Sequence, residues 1–252
     1  MGVFTIEQRD RVRDRLLAIA RADSRIVAGA MIGSLGEGTG DRWSDLDLGF
    51  GVAEAFAAAE VLRDWTQIVA REFHAVNLFD VTAGSAIYRV FLFPGCLQVD
   101  LSFAPESEFG ARGPKFKLLF GRAVEGTRAA PPTAQDLLGM GVHHAIRARF
   151  CIERGRYWQA QHWIGGVRDS LLGLACRRRG LEDRQGRGYD ELPAELLARC
   201  EGTLVRSVRK DDLLRALGSA VDGLLREADE ARELAARVEL ELRALKSRTL
   251  GP

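Results

Sequence analysis

The sequence lacks the features of several protein classes. It has no apolar run of membrane-spanning length, and its first ten residues lack the apolar core of a secretion signal. Its four cysteines are widely scattered without a CxxC pair, which excludes a disulfide framework and disfavours a zinc site. The formal net charge is only +1, from 36 basic and 35 acidic residues, so overall charge provides no attraction to nucleic acid or anionic membranes. We therefore expect a cytoplasmic protein with buried, reduced thiols that binds neither nucleic acid nor membrane. The cysteines are Cys96, Cys151, Cys176 and Cys200.

The first half of the chain has the apolar content and periodicity of a mixed α/β domain. Apolar residues make up 46% of the 252 residues, enough for a packed core. An amphipathic helix is expected first, followed by two short apolar strands, a helix and a meander of strands separated by glycine-containing turns. This order predicts a mixed sheet with helices packed on it. The expected helices are 5–21 and 54–73, and the expected strands are 26–32, 45–52, 75–82, 87–93, 96–103 and a short one within 118–125.

The second half is helical in pattern. Pro131-Pro132-Thr133 marks a boundary, with Thr133 as the expected N-cap and Asp136 at the third helical position. We therefore predict an α/β (α+β) fold with two domains, a mixed-sheet domain over 1–130 and a helical bundle over 131–252. Bundle helices are expected over 134–154, 157–179, 211–225 and 228–246, with a shorter one starting at Pro193.

One stretch combines small residues with paired carboxylates. Gly33-Ser34 follows the first apolar strand, and Asp45 and Asp47 lie in the second, with Asp45 eleven residues after Ser34. Residues two apart on a strand share a face, so Asp45 and Asp47 are expected side by side. Adjacent carboxylates repel each other unless a divalent cation binds between them, and backbone amides near small residues can approach phosphate closely. The stretch therefore predicts a metal–triphosphate site.

The spacing of Gly33-Ser34 and Asp45-x-Asp47 resembles the signature of the DNA polymerase β-like nucleotidyltransferase superfamily. The small antibiotic-modifying members, of the aminoglycoside and lincosamide types, are the most similar, and the resemblance covers roughly residues 26 to 103. That family uses a third carboxylate on a later strand, and Asp100 matches it.

The resemblance implies a specific activity. Two Mg²⁺ ions about 4 Å apart would be bound by Asp45, Asp47 and Asp100, with Asp100 also a candidate general base. Gly33 and Ser34 would contact the phosphates of a nucleoside triphosphate, expected to be ATP. A hydroxyl of a small, antibiotic-like acceptor would attack the α-phosphorus, and pyrophosphate would leave. The helical domain is expected to bind the acceptor.

The sequence departs from the family at Gly36-Glu37, where many small members carry Ala-Arg. The segment 112–117 offers replacement cations, so Lys115 and Lys117 are candidates for the triphosphate, with ordinary exposed lysines as the alternative. On the 157–179 helix, Arg168 is a further candidate for nucleotide binding. Trp158 and Arg168 could line a cleft that faces the sheet, although aromatic residues on bundle helices more often belong to the core.

Several alternatives remain open at this stage. Asp80 is a candidate for an additional base. The acceptor could be a protein hydroxyl, as in the minimal nucleotidyltransferases of toxin–antitoxin pairs, or the domain could bind nucleotide or a partner without turnover. A surplus of arginine over 144–187 favours a less charged acceptor, such as a lincosamide, over a polycationic aminoglycoside. The last helix could pack on the bundle or pair with a second copy in a homodimer.

Overall fold

A computed structural model of the chain describes residues 2–111, 113, 115–126 and 130–247. The chain divides into two compact units, residues 1–130 and residues 131–252. Within the described ranges, no helix is both long enough and apolar enough to cross a membrane.

The first unit is built on a six-stranded mixed sheet. Its strand order is β3-β4-β5-β2-β1-β6, and β2 pairs with β5 in parallel while every other neighbouring pair is antiparallel. The predicted meander is confirmed, because β3, β4 and β5 are consecutive in both sequence and sheet. The helices are α1 (Ile6–Ala22), α2 (Gly33–Glu37) and α3 (Ala58–Phe73), and the strands are β1 (Ile26–Ile32), β2 (Leu46–Val52), β3 (Val76–Ala83), β4 (Ala86–Phe93), β5 (Leu97–Pro105) and β6 (Phe116–Phe120).

The main core of this unit covers one face of the sheet, and a smaller buried cluster of alanines with Phe109 lies on the other face. In the main core, apolar side chains of β2 and β5 pack against α1 and α3, and Trp65 of α3 contacts Phe50 and Phe103 with ring centroids 5.0 and 5.3 Å apart. Because strand side chains alternate between faces, burying Leu48 and Leu101 turns their neighbours Asp47 and Asp100 to the other face. The core packing thereby decides where the carboxylates lie.

Several predicted details of the first unit are wrong. The strand expected within 118–125 is β6 (Phe116–Phe120), and it ends where Gly121 adopts a left-handed φ of 77°. The helix expected from residue 54 begins at Ala58, after a turn in which the Phe56 amide donates to Ala53. Cys96, expected to be buried, is exposed at the turn before β5, whereas the other three cysteines are buried.

The second unit consists of helices, so the predicted fold class, a mixed sheet followed by a helical bundle, is confirmed. Its buried core is formed mainly by α4, α5 and α7. The last helix is shorter than predicted, because a 3₁₀ turn at Asp229–Ala231 precedes it. The helices are α4 (Ala134–Glu153), α5 (Tyr157–Arg177), α6 (Ala194–Cys200), α7 (Lys210–Arg226) and α8 (Arg232–Ala244).

The predicted N-cap of α4 is confirmed. The Thr133 hydroxyl accepts the Asp136 amide at 3.1 Å, and the Asp136 carboxylate accepts the Thr133 amide at 2.9 Å, which forms a capping box. Two backbone donors that would otherwise lack helical partners are thus satisfied.

Replacing this cap should destabilise the second unit measurably. We expect Thr133→Ala to lower the free energy of unfolding by about 1 kcal/mol, because the Asp136 amide loses its acceptor. Thr133→Ser, which retains the hydroxyl, should remain close to wild type. Chemical denaturation followed by far-UV circular dichroism measures both, and equal stability of the two variants would contradict the role of the cap.

Candidate metal centre

Three aspartates converge on the sheet face opposite to the main core. Asp47 of β2 lies directly across from Asp100 of β5 in the parallel register, and Asp45 immediately precedes β2. Each side chain offers a carboxylate oxygen within 4.8 Å of the others, and all three residues are half-buried. A set of hard oxygen donors at this spacing suits a divalent cation such as Mg²⁺. The structure thus brings together the three aspartates that the sequence analysis selected.

The electrostatics of the cluster also favour a cation. The pKa of Asp100 is raised to about 6, mainly by burial. The Gln98 amide, which donates to it at 3.1 Å, lowers this pKa, whereas the negative charge of Asp45 raises it further. The protein therefore supplies too little positive charge to stabilise this carboxylate fully. A bound cation would provide it.

Gly33 occupies a position that other residues cannot fill easily. Its φ is 69°, in the left-handed region, and a Cβ built on it would overlap Oδ2 of Asp47. Its amide donates to the Lys115 carbonyl at 3.0 Å, so that N–H is already used within the protein. Gly33 consequently acts by letting the backbone pass close to the Asp47 carboxylate.

Ser34 joins the turn over residues 33–38, here called the glycine turn, to the segment that carries Asp45. A serine at the start of a helix can act as its N-cap, but α2 begins at Gly33 with Ile32 as its N-cap. The Ser34 hydroxyl instead donates to the Ser44 hydroxyl at 3.1 Å. Ser44 directly precedes Asp45, so this bond connects the two parts of the motif across the intervening loop.

The candidate lysines occupy different environments. Arg112 and Pro114, in the same segment, lie outside the described residues. The Lys115 carbonyl accepts the Gly33 amide at 3.0 Å, and the Lys115 Nζ is 3.6 Å from Oε2 of Glu37.

Lys117 is placed less favourably for the triphosphate. It pairs with Met31, whereas its neighbour Phe116 pairs with Ile32, which in turn pairs with Asp47. Cross-strand partners share a face and consecutive residues alternate, so Lys117 points to the face away from Asp47. The structure does not bring Lys117 to the carboxylates.

The remaining candidates lie elsewhere. Arg168 is half-buried on α5 in the second unit, where Trp158 is 76% exposed and so does not belong to the core. Asp80 is wrong as an additional base: Arg89 donates to both of its oxygens, at 2.7 and 2.6 Å, and holds its pKa below the usual range. Arg89 pairs with Leu101, so this ion pair lies on the core side of the sheet, opposite to Asp100.

Two interactions of the site escaped the sequence analysis. The first is the pairing of Glu37 with Lys115, which depends on the approach of β6 to the glycine turn. The second is the hydrogen bonding of the turn 41–44, where the Asp41 carboxylate accepts the Trp43 amide at 2.8 Å and the Ser44 hydroxyl at 3.1 Å. An aspartate two residues before the amide that it accepts is a common turn signal, so Asp41 was detectable in principle.

Comparisons with known proteins find similarity among solved structures only. No protein-family model matches the sequence, and no curated protein matches it. Among solved structures, the chain is similar to an aminoglycoside 6-adenyltransferase from Bacillus subtilis at 13% sequence identity and a TM-score of 0.41. The similarity covers 92% of this chain and 96% of that one. We infer the function from the residues of this chain.

The contact between Gly33 and Asp47 can be tested against a matched glycine. Gly33→Ala and Gly38→Ala should both lose about 1–2 kcal/mol of stability, because both positions have a left-handed φ, of 69° and 81°. Only at Gly33 would the added methyl displace the Asp47 carboxylate, since a Cβ at Gly38 meets nothing within 4 Å. Calorimetric titration with Mn²⁺ should show binding lost in Gly33→Ala and retained in Gly38→Ala. Equal Mn²⁺ affinity in both variants would contradict this account.

The raised pKa of Asp100 predicts a dependence of stability on pH. A carboxyl that holds its proton more tightly when folded stabilises the protein at low pH, and this contribution is lost as the pH rises from about 4 to about 6. In EDTA, Asp100→Asn should therefore raise the Tm at pH 7.5 by about 2–4 °C. The difference from wild type should shrink towards pH 4.5. Scanning calorimetry at the two pH values measures it, and a variant that is less stable than wild type at pH 7.5 would contradict the expectation.

Proposed function

We propose that the protein is an Mg²⁺-dependent nucleotidyltransferase that transfers a nucleoside monophosphate from a nucleoside triphosphate, with ATP as the expected donor, to a hydroxyl of a small acceptor. The observation that carries this proposal is the pairing of Asp47 with Asp100 on parallel strands, with Asp45 within 4.8 Å and the Gly33 backbone pressed against Asp47. This arrangement agrees with the resemblance of the sequence motif to the DNA polymerase β-like superfamily.

The donor set fits the metal that this function requires. Asp45, Asp47 and Asp100 would bind Mg²⁺ through carboxylate oxygens, which are its preferred ligands. When bound, the metal would neutralise phosphate charge and lower the pKa of the attacking hydroxyl.

The protein residues would position the reactants and accept a proton. The acceptor oxygen would form a bond to the α-phosphorus, while the bond from that phosphorus to the bridging oxygen of the β-phosphate breaks and pyrophosphate leaves with the electron pair. Asp100 would be the candidate to take the proton of the hydroxyl, because its carboxylate lies within 4.8 Å of the other two metal-binding carboxylates. Gly33, Ser34 and Lys115 would line the triphosphate, with Lys115 providing positive charge.

We propose the helical unit, residues 131–252, as the acceptor-binding domain, and we keep Arg168 as a candidate for nucleotide binding. We do not carry over the preference for a less charged acceptor, because several arginines of the surplus have acidic partners. Arg177 pairs with Glu230 at 2.9 Å, and Arg178 pairs with Asp229 at 2.8 Å. The acceptor class therefore stays a small hydroxylated, antibiotic-like molecule.

The proposal is tested by pyrophosphate release. Wild-type protein should release pyrophosphate from one or more of ATP, GTP, CTP and UTP with Mg²⁺ and an acceptor from a panel of aminoglycosides and lincosamides, and EDTA should stop the reaction. Asp47→Asn should reduce the rate at least about a hundredfold, because it removes a metal-binding charge. Asp80→Asn, on the opposite face of the sheet, should keep the wild-type rate.

The outcomes separate the alternatives. If no triphosphate binds with Mg²⁺ in a thermal-shift titration, the proposal is wrong. Binding without pyrophosphate release from any acceptor would instead indicate a nucleotide-binding protein without turnover.

A further inference from the structure

Arg9 is a buried cation in the first unit, 4% exposed on α1. Its Nη1 donates two hydrogen bonds, to the carbonyl oxygen of Asp41 at 2.7 Å and to that of Ser44 at 2.9 Å. One nitrogen thus ties together two carbonyls at the two ends of the turn 41–44. The turn is therefore attached to a helix that lies on the core side of the sheet.

The setting of Arg9 adds little to stability. Its Nε lies 3.9 Å from Oδ1 of Asp10, the Asp41 carboxylate also acts on its charge, and the buried Nε has no hydrogen-bond partner among the described residues. A buried cation that is held without a carboxylate hydrogen bond and with one donor unsatisfied contributes little to stability, and an apolar residue in such a place is often as good or better. The geometry that Arg9 imposes on the turn is a benefit that an apolar residue could not supply.

The turn 41–44 is connected to the carboxylates through Ser44, which directly precedes Asp45. Within the turn, the Asp41 amide donates to the Ser44 hydroxyl at 2.9 Å, and the Ser44 hydroxyl is bonded in turn to Ser34. Asp45 is the next residue after Ser44, so a turn fixed at Ser44 fixes the start of Asp45. No hydrogen bond from Arg9 to any of the three carboxylates is present among the described residues, and its influence on them passes through the turn.

We propose that Arg9 is a positioning residue of the metal–nucleotide site, which holds Asp45 in register with Asp47 and Asp100 by clamping the carbonyls of the turn 41–44. This inference rests on the proposed function, because it assigns Arg9 a role in the same site.

Variants of α1 test the inference. Arg9→Met removes both hydrogen bonds and should weaken Mn²⁺ binding about 10-fold, the lower end of the loss seen for direct outer-shell partners, because Arg9 acts through the turn. Arg9→Lys keeps a donor and should recover part of that affinity. Arg13→Met loses ion pairs to Asp10 and Asp14 on the same helix without touching the turn, so its Mn²⁺ affinity should equal that of wild type.

A second control separates positioning from stability. Leu16 is fully buried on α1, and Leu16→Ala should lower the Tm while leaving Mn²⁺ affinity unchanged well below that Tm. Electron paramagnetic resonance of free Mn²⁺ gives the affinities for all variants. A merely structural role for Arg9 predicts that Arg9→Met and Leu16→Ala behave alike.

Hydrogen–deuterium exchange examines the clamp without any metal. The amides of 41–47 should exchange about tenfold faster in Arg9→Met than in wild type, while those of β4 and α3 keep their protection. If the wild type binds Mn²⁺, then unchanged exchange in this segment, or unchanged Mn²⁺ affinity in Arg9→Met, overturns the role of Arg9. Neither result contradicts the proposed function. A wild type that binds neither Mn²⁺ nor Mn²⁺–triphosphate overturns the proposed function and, with it, a role for Arg9 at a metal site.

Discussion

The parallel pairing of β2 with β5 is the interaction on which the candidate site depends. It sets Asp47 directly across from Asp100, a like-charge cross-strand pair that costs roughly 0.2–1 kcal/mol. The same register buries Leu48 and Leu101 on the other face, and each fully buried leucine contributes about 1.5–3 kcal/mol. Burial therefore outweighs repulsion, and the fold can hold carboxylates together that would separate in an unfolded chain. The remaining repulsion is the physical reason for a cation to bind there.

Close approach of the backbone is the second constraint. Gly33 lets the chain pass beside the Asp47 carboxylate, and Gly49 keeps the next position on the same face of β2 equally small. A Cβ at Gly49 would lie 2.9 Å from Cδ1 of Ile32 and 3.0 Å from the Ser102 hydroxyl. These small residues let Phe109 pack on the aspartate face in a small buried cluster, whereas the larger core with Phe50, Trp65 and Phe103 fills the opposite face. A sheet whose main core lies on one face can present charge on the other face without losing that core.

The sequence contains local information about this site and little about its long-range partners. Alternation along the strand and the spacing from Ser34 to Asp45 were sufficient to select Asp45 and Asp47, and the family resemblance added Asp100. A proline pair with Thr133 was sufficient to locate the start of α4. The face on which Lys117 lies depends on its pairing with Met31 of β1, which no local pattern encodes. Arg9 is one of 36 basic residues, and its burial against two carbonyls, a feature that Arg149 shares in the second unit, has no signal in the sequence. Local periodicity predicts elements and faces; pairing partners and buried polar contacts require the three-dimensional structure.

The charge around the glycine turn explains why the departure at Glu37 is compatible with a triphosphate site. An unpaired glutamate there would repel phosphate, but Lys115 lies 3.6 Å from it and offsets its charge. Both side chains are partly exposed, so the pair is held weakly, at about 0–1 kcal/mol. A polyphosphate carries more negative charge than one carboxylate and competes well for the same ammonium group. Under the proposed function, the exchange of Lys115 from Glu37 to phosphate therefore costs little, and divalent cations at Asp45, Asp47 and Asp100 would carry the larger share of charge neutralisation.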